Sequence, residues 1–420
     1  MKVAILGSTL NAGVMAVLLS EYGNQVYWCY HSNVESCASH VVRYLDEDVN
    51  LYLEKQVTNG QLLHSSLADL PLDIEVYFFC YSPTEIELAF QTLKILSLKP
   101  IIHPRLMINV STFGLHGTEK LKAILPRDYW VYFPDVIQEG NAINSVLHLK
   151  HVIIGVEDDN ARIMVEELLR PIFAPNQYLF MPILDAEFTK LSISGMLATR
   201  ISYINDLALV AEKLGIDVAN VQKGMGADSR IGSAYLLAGA GFGGENFSHD
   251  ILTLSSEVSK SGAKSRLLQQ VWNINEEQKE ILFRKLWNYY HSDLKNKVIA
   301  IWGAAFKENT SSIQNSPIHP MLNALWAQGA TVKLHDPQAL QEINKRYGER
   351  ADLILCADAY DAAQDADALC VITAWKQYCS PDYKKLQQLM RHPVILDGRN
   401  IYDPQYVKAQ GFAYEGVGRV

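Results

Sequence analysis

The sequence predicts an α/β protein in which two parallel sheets flank a helical middle region. Two blocks of short apolar runs, each run alternating with a helix-like stretch, indicate βαβ units around a parallel sheet. Between the blocks, residues 186–214 carry apolar side chains at helical spacing without a proline. We therefore expect two Rossmann-like domains, at 1–180 and 291–420, joined by a long central helix and a helical dimerisation domain at 181–290.

The bulk composition restricts the class of protein. A chain of 420 residues exceeds the size of one ordinary core. The formal net charge of −9 argues against nucleic acid as a partner, because phosphate backbones are bound by basic surfaces. No apolar run reaches the roughly 20 residues of a membrane span, and the apolar start is too short for a signal peptide. We expect a cytoplasmic protein with no nucleic-acid partner and no membrane partner.

The cysteines lack the CxxC spacing of a metal or redox site. The six residues are Cys29, Cys37, Cys80, Cys356, Cys370 and Cys379. Each lies in or beside an apolar strand-like run, so we expect buried free thiols in a reducing compartment and no metal site.

The first block predicts a dinucleotide-binding turn. Its strands cover residues 3–7, 25–30, 74–80, 106–110 and 151–156. The first strand ends in Gly7-Ser8-Thr9-Leu10-Asn11-Ala12-Gly13, close to the pattern GxGxxG/A that brings a pyrophosphate to a helix N-terminus. Gly7 and Ala12 fit the first and third positions, whereas Thr9 fills the second and is expected to crowd the phosphate. The acidic residue that binds the ribose hydroxyls would fall at Tyr30. The alternative is a Rossmann-like scaffold that has lost its cofactor site.

The middle region predicts one long helix, which ends in a basic residue followed by Gly215. At about 28 residues it exceeds the usual length of 8–20, and such helices often connect domains or form dimer interfaces. More helix follows, interrupted by a glycine-rich stretch at 239–244. The second block of strands then covers residues 297–303, 330–334, 368–372 and 393–397.

Five further stretches resemble motifs of one enzyme family, in its order and at about its spacing. The first two are Ser111-Thr112 with the turn to Thr118, which resembles STVPxGT, and 134–140, which resembles PEFLREG. The third is Glu187-Phe188-Thr189-Lys190 followed by 198–206, and the fourth is 228–232 with 241–244 and Asp250. The last includes Gly303, Ala305-Phe306-Lys307, Asn309-Thr310, Ser316-Pro317 and Asp397-Gly398-Arg399-Asn400.

On these motifs the chain resembles the UDP-glucose/GDP-mannose dehydrogenase family. That family oxidises a primary alcohol of a nucleotide sugar twice, to a carboxylate, with NAD. The resemblance implies an N-terminal NAD domain, a central dimerisation domain and a C-terminal nucleotide-sugar domain, at the boundaries given above. The fold does not by itself settle the function.

The resemblance also implies a set of site residues. The family's functional threonine, glutamate, lysine and aspartate correspond to Thr112, Glu139, Lys190 and Asp250. The cofactor-binding residues would be Gly7, Thr9, Ala12, Tyr30 and Ser82. The substrate-binding residues would be Asp135, Arg230, Tyr235, Lys307 and Arg399. Each has a purely structural alternative: Lys190 could be a solvated charge, Glu139 a turn residue and Asp250 the cap of a helix starting near Ile251.

The chain departs from the family at the motif GFGGSCFPKD. Here the sequence reads Gly241-Phe242-Gly243-Gly244-Glu245-Asn246-Phe247-Ser248-His249-Asp250. Asn246 therefore takes the position of the family's catalytic cysteine, and His249 that of its lysine. The family's helix asparagine, four residues after Lys190, is Ser194. The second oxidation requires a thiolate that traps the aldehyde, and no cysteine lies between Cys80 and Cys356.

Three functions remain open on the sequence. The first is a homodimeric enzyme that performs one NAD-dependent hydride transfer on a nucleotide sugar or another anionic alcohol, with Lys190 at the reacting oxygen. The second is a non-catalytic binding or assembly descendant of the family. The third, a standard UDP-sugar 6-dehydrogenase, is disfavoured because the cysteine is missing. We expect weak affinity for NAD because of Thr9 and Tyr30.

Overall fold

The computed structural model describes residues 1–30, 44, 46–263 and 265–419, so Cys37 lies outside the described residues. The chain divides into two compact units, Met1–Ile193 and Ser194–Val420. The predicted division into three domains, at 1–180, 181–290 and 291–420, stays a prediction.

The first unit is built on a mainly parallel sheet. Within its described residues the strands are β1 (Lys2–Leu6), β2 (Gln25–Cys29), β3 (Leu62–His64), β4 (Val76–Phe79), β5 (Leu106–Asn109), β6 (Tyr129–Tyr132), β7 (Val152–Val156) and β8 (Tyr178–Met181). Their order is β3-β2-β1-β4-β5-β6-β7-β8, and only β6 and β7 pair antiparallel. The helices are α1 (Leu10–Glu21), α2 (Glu47–Thr58), α3 (Ile86–Ser97), α4 (Gly117–Lys122), α5 (Ala142–Leu147) and α6 (Asp159–Leu169), with a 3-10 turn at Pro175–Gln177.

The strand sequences explain why helices cover both faces of this sheet. In β1, Val3 and Ile5 pack into one apolar cluster, whereas Ala4 and Leu6 pack into another. A strand that is buried on both faces has no polar alternation, which is the pattern of a parallel sheet. The carboxyl ends of β1, β2, β4, β5 and β6 therefore meet at one edge, where a strand-order reversal between β1 and β4 leaves a crevice.

The predicted long helix is confirmed as α7 (Ile183–Leu214), of 32 residues. It begins three residues earlier than expected, with Asp185 in its first turn, where a carboxylate interacts favourably with the helix dipole. It ends before Gly215, whose φ of +68° suits a glycine after a helix.

The second unit continues with helices and then a parallel sheet. The helices before the sheet are α8 (Val218–Ala227), α9 (Glu245–Lys260), α10 (Leu267–Gln278) and α11 (Ile281–Tyr289). The strands are β9 (Val298–Trp302), β10 (Thr331–His335), β11 (Leu353–Leu355), β12 (Ala368–Val371), β13 (Val394–Asp397) and β14 (Ala413–Gly416). The helices between them are α12 (Ile318–Ala327), α13 (Leu340–Tyr347), α14 (Ala359–Ala363), α15 (Tyr383–Leu389) and α16 (Pro404–Ala409), with a 3-10 turn at Lys376–Tyr378.

The order of this second sheet is β11-β10-β9-β12-β13-β14, with every pair parallel among the described residues. The first six strands of the other sheet have the same order, so the predicted α/β class with two Rossmann-like sheets is confirmed. No helix among the described residues has the length and apolar content to cross a membrane.

The prediction of buried thiols is wrong for one cysteine. Cys29, Cys80, Cys356 and Cys370 are buried, whereas Cys379 is exposed. Cys379 follows the 3-10 turn Lys376–Tyr378 rather than a strand, so the apolar run before it does not continue into the sheet.

We expect Asp128→Asn to lower the free energy of unfolding of the first unit by about 3 kcal/mol, because it leaves a buried guanidinium without its counter-charge. Arg105 binds Asp128 through two hydrogen bonds, of 2.9 and 2.7 Å, and the two side chains are only 4% and 1% exposed. Urea denaturation measures the loss. The matched control is Asp73→Asn, which removes the exposed ion pair with Lys2 and should leave stability unchanged. Equal effects of the two variants would contradict this expectation.

Candidate active site

The turn between β1 and α1 has the geometry of a dinucleotide-binding turn. Gly7 has a φ of +110°, and a Cβ there would lie 2.2 Å from the Cys80 carbonyl oxygen, so β1 and β4 approach this closely only with glycine. The Thr9 hydroxyl donates to the same oxygen at 2.9 Å, which fixes it at the end of β4. The side chain of the N-cap residue Thr9 forms no capping hydrogen bond to α1, and the first turn of this helix has no acidic residue. Its N–H groups and positive dipole end are suited to a pyrophosphate.

Tyr44, which the sequence analysis did not select, lies on this turn. Its hydroxyl is 2.8 Å from the Thr9 carbonyl oxygen and 3.1 Å from that of Ser8. Its ring packs so closely on Gly13 that a Cβ there would be 2.4 Å from a ring carbon. These contacts join residues about 35 positions apart, so no local sequence pattern predicts them.

The predicted cofactor residues gather at the carboxyl edge of the first sheet. Tyr30 directly follows β2 and is half-buried. Ser82 follows β4, where its N–H donates to the Glu85 carboxylate at 2.8 Å and its hydroxyl pairs with Thr84. Ala12 is buried in the first turns of α1.

The segment after β5 is fixed by a chain of hydrogen bonds. The Ser111 hydroxyl donates to the Phe79 carbonyl oxygen at 3.0 Å and accepts from the Tyr81 N–H at 2.8 Å, which joins the ends of β4 and β5. Thr112, the next residue, is buried. Asn109 donates to the Thr118 hydroxyl at 2.9 Å. Hydrogen bonds therefore fix the predicted Ser-Thr turn at Ser111, at its start, and at Thr118, at its end.

Glu187 on α7 completes this chain. Its carboxylate accepts from the Thr118 N–H at 2.8 Å, and burial raises the pKa of the carboxyl above its ordinary value. Glu187 belongs to one of the motifs in the sequence, but the sequence alone predicts no role for it. Lys190, one turn further along α7, is half-buried.

Asp135 and Glu139 follow β6 and are half-buried. The Asp135 carboxylate accepts from the Ile137 N–H at 3.0 Å, a turn that keeps this segment compact. The first unit thus brings most of its predicted residues to one edge of the sheet. These are Gly7, Thr9, Tyr30, Ser82, Thr112, Asp135 and Glu139.

In the second unit, buried amide side chains hold the glycine-rich loop 238–244. The Asn275 amide is 2.7 Å from the Phe242 nitrogen and 3.1 Å from its carbonyl oxygen, so it accepts from one and donates to the other. Asn205 accepts from the Gly239 N–H at 2.9 Å, and Gln278 donates to the Gly239 carbonyl at 2.7 Å. The three amide side chains are fully or nearly fully buried.

Arg399, predicted to bind substrate, holds the same loop. Its guanidinium donates to the carbonyl oxygens of Ile372 at 2.6 Å, Gly241 at 3.0 Å and Phe306 at 3.2 Å. Lys307, the residue after Phe306, is half-buried. Arg399 therefore joins three segments that are distant in the chain.

The loop ends at Gly244, with a φ of +92°, and α9 begins at Glu245. Asn246 is exposed in the first turn of α9. Asp250 is buried in its second turn, where it accepts from the Ser194 hydroxyl at 2.7 Å. The alternative that Asp250 caps a helix is wrong, because α9 begins five residues before it. His249 is half-buried and 3.4 Å from the Thr253 hydroxyl.

The segment 228–235 carries the remaining predicted substrate residues. Arg230 is exposed and forms two hydrogen bonds to Asp228, and Tyr235 is exposed with a φ of +59°. Arg200 on α7 holds the segment from the other side. Its guanidinium donates to the carbonyl oxygens of residues 231, 232 and 234 at 2.7–2.9 Å. The sequence analysis quoted Arg200 in a motif without a role, since no sequence pattern marks a side chain that binds backbone.

No group of three or more histidine, cysteine or carboxylate side chains that could hold a metal ion occurs within the described ranges.

Comparison with known proteins gives consistent matches. The central-domain model of the UDP-glucose/GDP-mannose dehydrogenase family matches residues 184–277, and the UDP-binding-domain model of the same family matches 300–404. The chain is 31% identical to a UDP-glucose 6-dehydrogenase of Pseudomonas aeruginosa, over 100% of this chain and 98% of the relative. It is 30% identical to one of Bacillus subtilis, over 100% of this chain and 93% of the relative.

Solved structures share the fold. A UDP-glucose dehydrogenase of Pyrobaculum islandicum matches with a TM-score of 0.89 at 24% identity, over 100% of this chain and 98% of the other. The UDP-D-ManNAc dehydrogenase of Pyrococcus horikoshii matches with a TM-score of 0.83 at 21% identity, over 100% and 99%.

We expect Asn275→Ala to lower the free energy of unfolding by about 2 kcal/mol, because it leaves the buried N–H and C=O of Phe242 without their partners. Limited proteolysis should then cut within 239–244 faster than in the wild type. The control is Gln269→Ala, which removes an exposed amide from the same helix α10. Identical denaturation and cleavage in both variants would show that the loop does not depend on Asn275.

Proposed function

Because the chain belongs to the UDP-glucose/GDP-mannose dehydrogenase family, we propose that it is an NAD-dependent oxidoreductase that transfers a single hydride from a nucleotide sugar or a similar anionic alcohol. The observation that carries the single step is Asn246. It stands in the first turn of α9, at the position where the family's motif has its cysteine.

The residues of the first unit fit NAD. The uncapped first turn of α1 offers N–H groups for the pyrophosphate, and Gly7 allows the close backbone approach that this turn needs. Thr9, Ala12, Tyr30 and Ser82 would complete the site. When bound, NAD supplies the acceptor for the hydride that leaves the alcohol carbon.

Lys190 is the residue we assign to the reacting oxygen. An ammonium stabilises the negative charge that develops on that oxygen when the hydroxyl proton leaves. Thr112 and Glu139 would orient the alcohol and take part in moving its proton. The Thr118 N–H donates to Glu187, which lies one helical turn before Lys190. We propose that this hydrogen bond positions the part of α7 that carries Lys190.

The reaction ends at the carbonyl because the second step has no nucleophile. In the first step a C–H and an O–H bond break, a C=O bond forms, and NAD⁺ becomes NADH with release of one proton. A second hydride can leave the aldehyde only after a group adds to its carbonyl. An amide nitrogen does not add, since its lone pair is delocalised, so Asn246 leaves the aldehyde as product.

The second unit would hold the nucleotide. Arg230, Tyr235, Lys307 and Arg399 are the proposed contacts. Three of the five N–H donors of Arg399 already bind backbone. We therefore assign Arg399 to shaping the loop that receives the substrate, with Arg230 and Lys307 as the charges that face phosphate.

A non-catalytic binding protein is the second candidate. The bond between Ser194 and Asp250 favours it, because both side chains are buried and the hydroxyl takes up one oxygen of the predicted catalytic carboxylate. Such a protein would bind the nucleotide sugar without forming NADH.

With UDP-glucose or a related nucleotide sugar, we expect one NADH per substrate and an aldehyde or ketone as product. Absorbance at 340 nm counts NADH, and mass spectrometry identifies the product. Two NADH per substrate together with a uronic acid would contradict the single step. Binding of the sugar without NADH formation would instead select the non-catalytic candidate.

The variant Asn246→Cys tests whether a thiol at this position is sufficient for the second oxidation. We expect one NADH per substrate or a trace of acid, because Ser194 and His249 also depart from the family's arrangement. The control Asn246→Ser has no thiolate and should behave as the wild type. Full conversion to acid by Asn246→Cys would show that the cysteine alone is missing.

We also propose a homodimer formed through α7. Of the large exposed apolar residues on this helix, Ile193 lies apart, and the other six are Leu184, Phe188, Met196, Tyr203, Val210 and Leu214. At 100° per residue they fall within an arc of about 120°, a continuous apolar stripe. A stripe of this kind is typical of an interface.

Sedimentation at micromolar concentration should therefore give a dimer, and the double variant Tyr203→Glu with Val210→Glu should shift the mass towards the monomer. The matched control is Ile163→Glu, an equally exposed apolar residue on α6. A monomeric wild type would refute the dimer.

A further inference from the structure

Aromatic rings surround the position that follows β2. Trp28 in β2 is paired in register with His64 in β3. The ring of Tyr30 contacts both: its centroid is 5.6 Å from that of Trp28 and 5.5 Å from that of His64, with interplanar angles of 73° and 80°. Such edge-to-face contacts hold a ring in one orientation.

This cluster is joined to the dinucleotide turn. The Trp28 indole N–H donates to the Gly7 carbonyl oxygen at 2.8 Å. Tyr44 stacks on Trp28 with a centroid distance of 6.4 Å, and its hydroxyl binds the Thr9 carbonyl oxygen. The aromatic cluster around Tyr30 therefore adjoins the turn to which we assign the pyrophosphate.

In dinucleotide-binding sheets the residue after the second strand meets the adenosine ribose. A carboxylate there accepts from the ribose 2′-hydroxyl and selects NAD, because it repels the 2′-phosphate of NADP. Tyr30 offers a neutral phenol in this place. His64 is also neutral near pH 7, since burial lowers the pKa of its imidazole. The described side chains of this cluster thus carry no charge that distinguishes the two dinucleotides.

We propose that Tyr30 determines the cofactor specificity of this chain: the adenosine end is recognised by contact with aromatic rings, and NAD and NADP bind with similar affinity. This inference rests on the proposed use of a nicotinamide dinucleotide. It requires no turnover, so it can be tested by binding alone.

Isothermal calorimetry of the full chain with NAD and with NADP tests the inference. In the wild type we expect the two dissociation constants to agree within about tenfold. In Tyr30→Asp the NADP-to-NAD ratio of dissociation constants should rise at least about tenfold, because the new carboxylate accepts from the 2′-hydroxyl and repels the phosphate.

Two controls isolate the position. Tyr30→Phe keeps the ring without a charge and should keep the wild-type ratio. Tyr22→Asp adds the same charge at an exposed residue just after α1 and should also keep it. Circular dichroism confirms that each variant is folded, and the wild-type ratio tests the inference even where a variant is not.

A wild type that binds NAD more than about a hundredfold tighter than NADP would overturn the inference and leave the proposed reaction intact. An unchanged ratio in folded Tyr30→Asp would overturn it as well. Conversely, similar binding of both dinucleotides without NADH formation from any nucleotide sugar would support the inference and contradict only the proposed reaction.

Discussion

The backbone of the loop 238–244 is buried without being part of a sheet or helix, and this constraint organises the second unit. Buried N–H and C=O groups need partners, and an irregular loop cannot supply them itself. Here α7 and α10 supply Asn205, Asn275 and Gln278, and the segment after β13 supplies Arg399. Because these side chains come from three separate elements of the chain, the loop has one conformation only when those elements are assembled. Gly244 joins this loop to α9, so the position of Asn246 in the first turn of α9 depends on the loop.

The second sheet has the strand order of the first six strands of the other sheet. The two units differ in the hydrogen bonds made by the turn after their first strand. In the second unit, Gly303 has a φ of +98°, much like Gly7 in the first. There the Asp336 carboxylate accepts from the N–H groups of Ala304 and Ala305 at 2.7 and 3.0 Å. The chain's own carboxylate thus takes the place that an anion would occupy. At the turn after β1 the N-cap residue Thr9 forms no capping hydrogen bond and the first turn of α1 has no acidic residue, which is why we propose the first unit as the dinucleotide site.

The sequence predicts those elements whose pattern is local. Strands such as β1 and β9 are continuous apolar runs, and α7 has a helical repeat and a glycine stop. The strands β3, β6, β8, β11 and β14 were not predicted, because runs of three or four residues carry little pattern of their own and their pairing with a neighbour defines them. Likewise Arg399 was found by resemblance, but its three carbonyl partners lie 27, 93 and 158 positions away in the chain. Tyr44 and Glu187 were missed as positioning residues for the same reason. The alternative of a helix that starts near Ile251 was wrong, because α9 begins directly after its N-cap Gly244.

The relatives' activity does not transfer to this chain through the fold, because the fold and the chemistry depend on different residues. The first turn of a helix lowers the pKa of a thiol and so favours a thiolate. The same dipole has little effect on an amide, which has no proton to lose near neutral pH. The position of Asn246 therefore keeps an environment suited to a nucleophile while the side chain cannot act as one. Ser194 changes with it, since its short hydroxyl reaches the buried Asp250 carboxylate and binds it. Asn246 is the basis of the proposed single oxidation step, whereas the bond between Ser194 and Asp250 supports the proposed non-catalytic alternative.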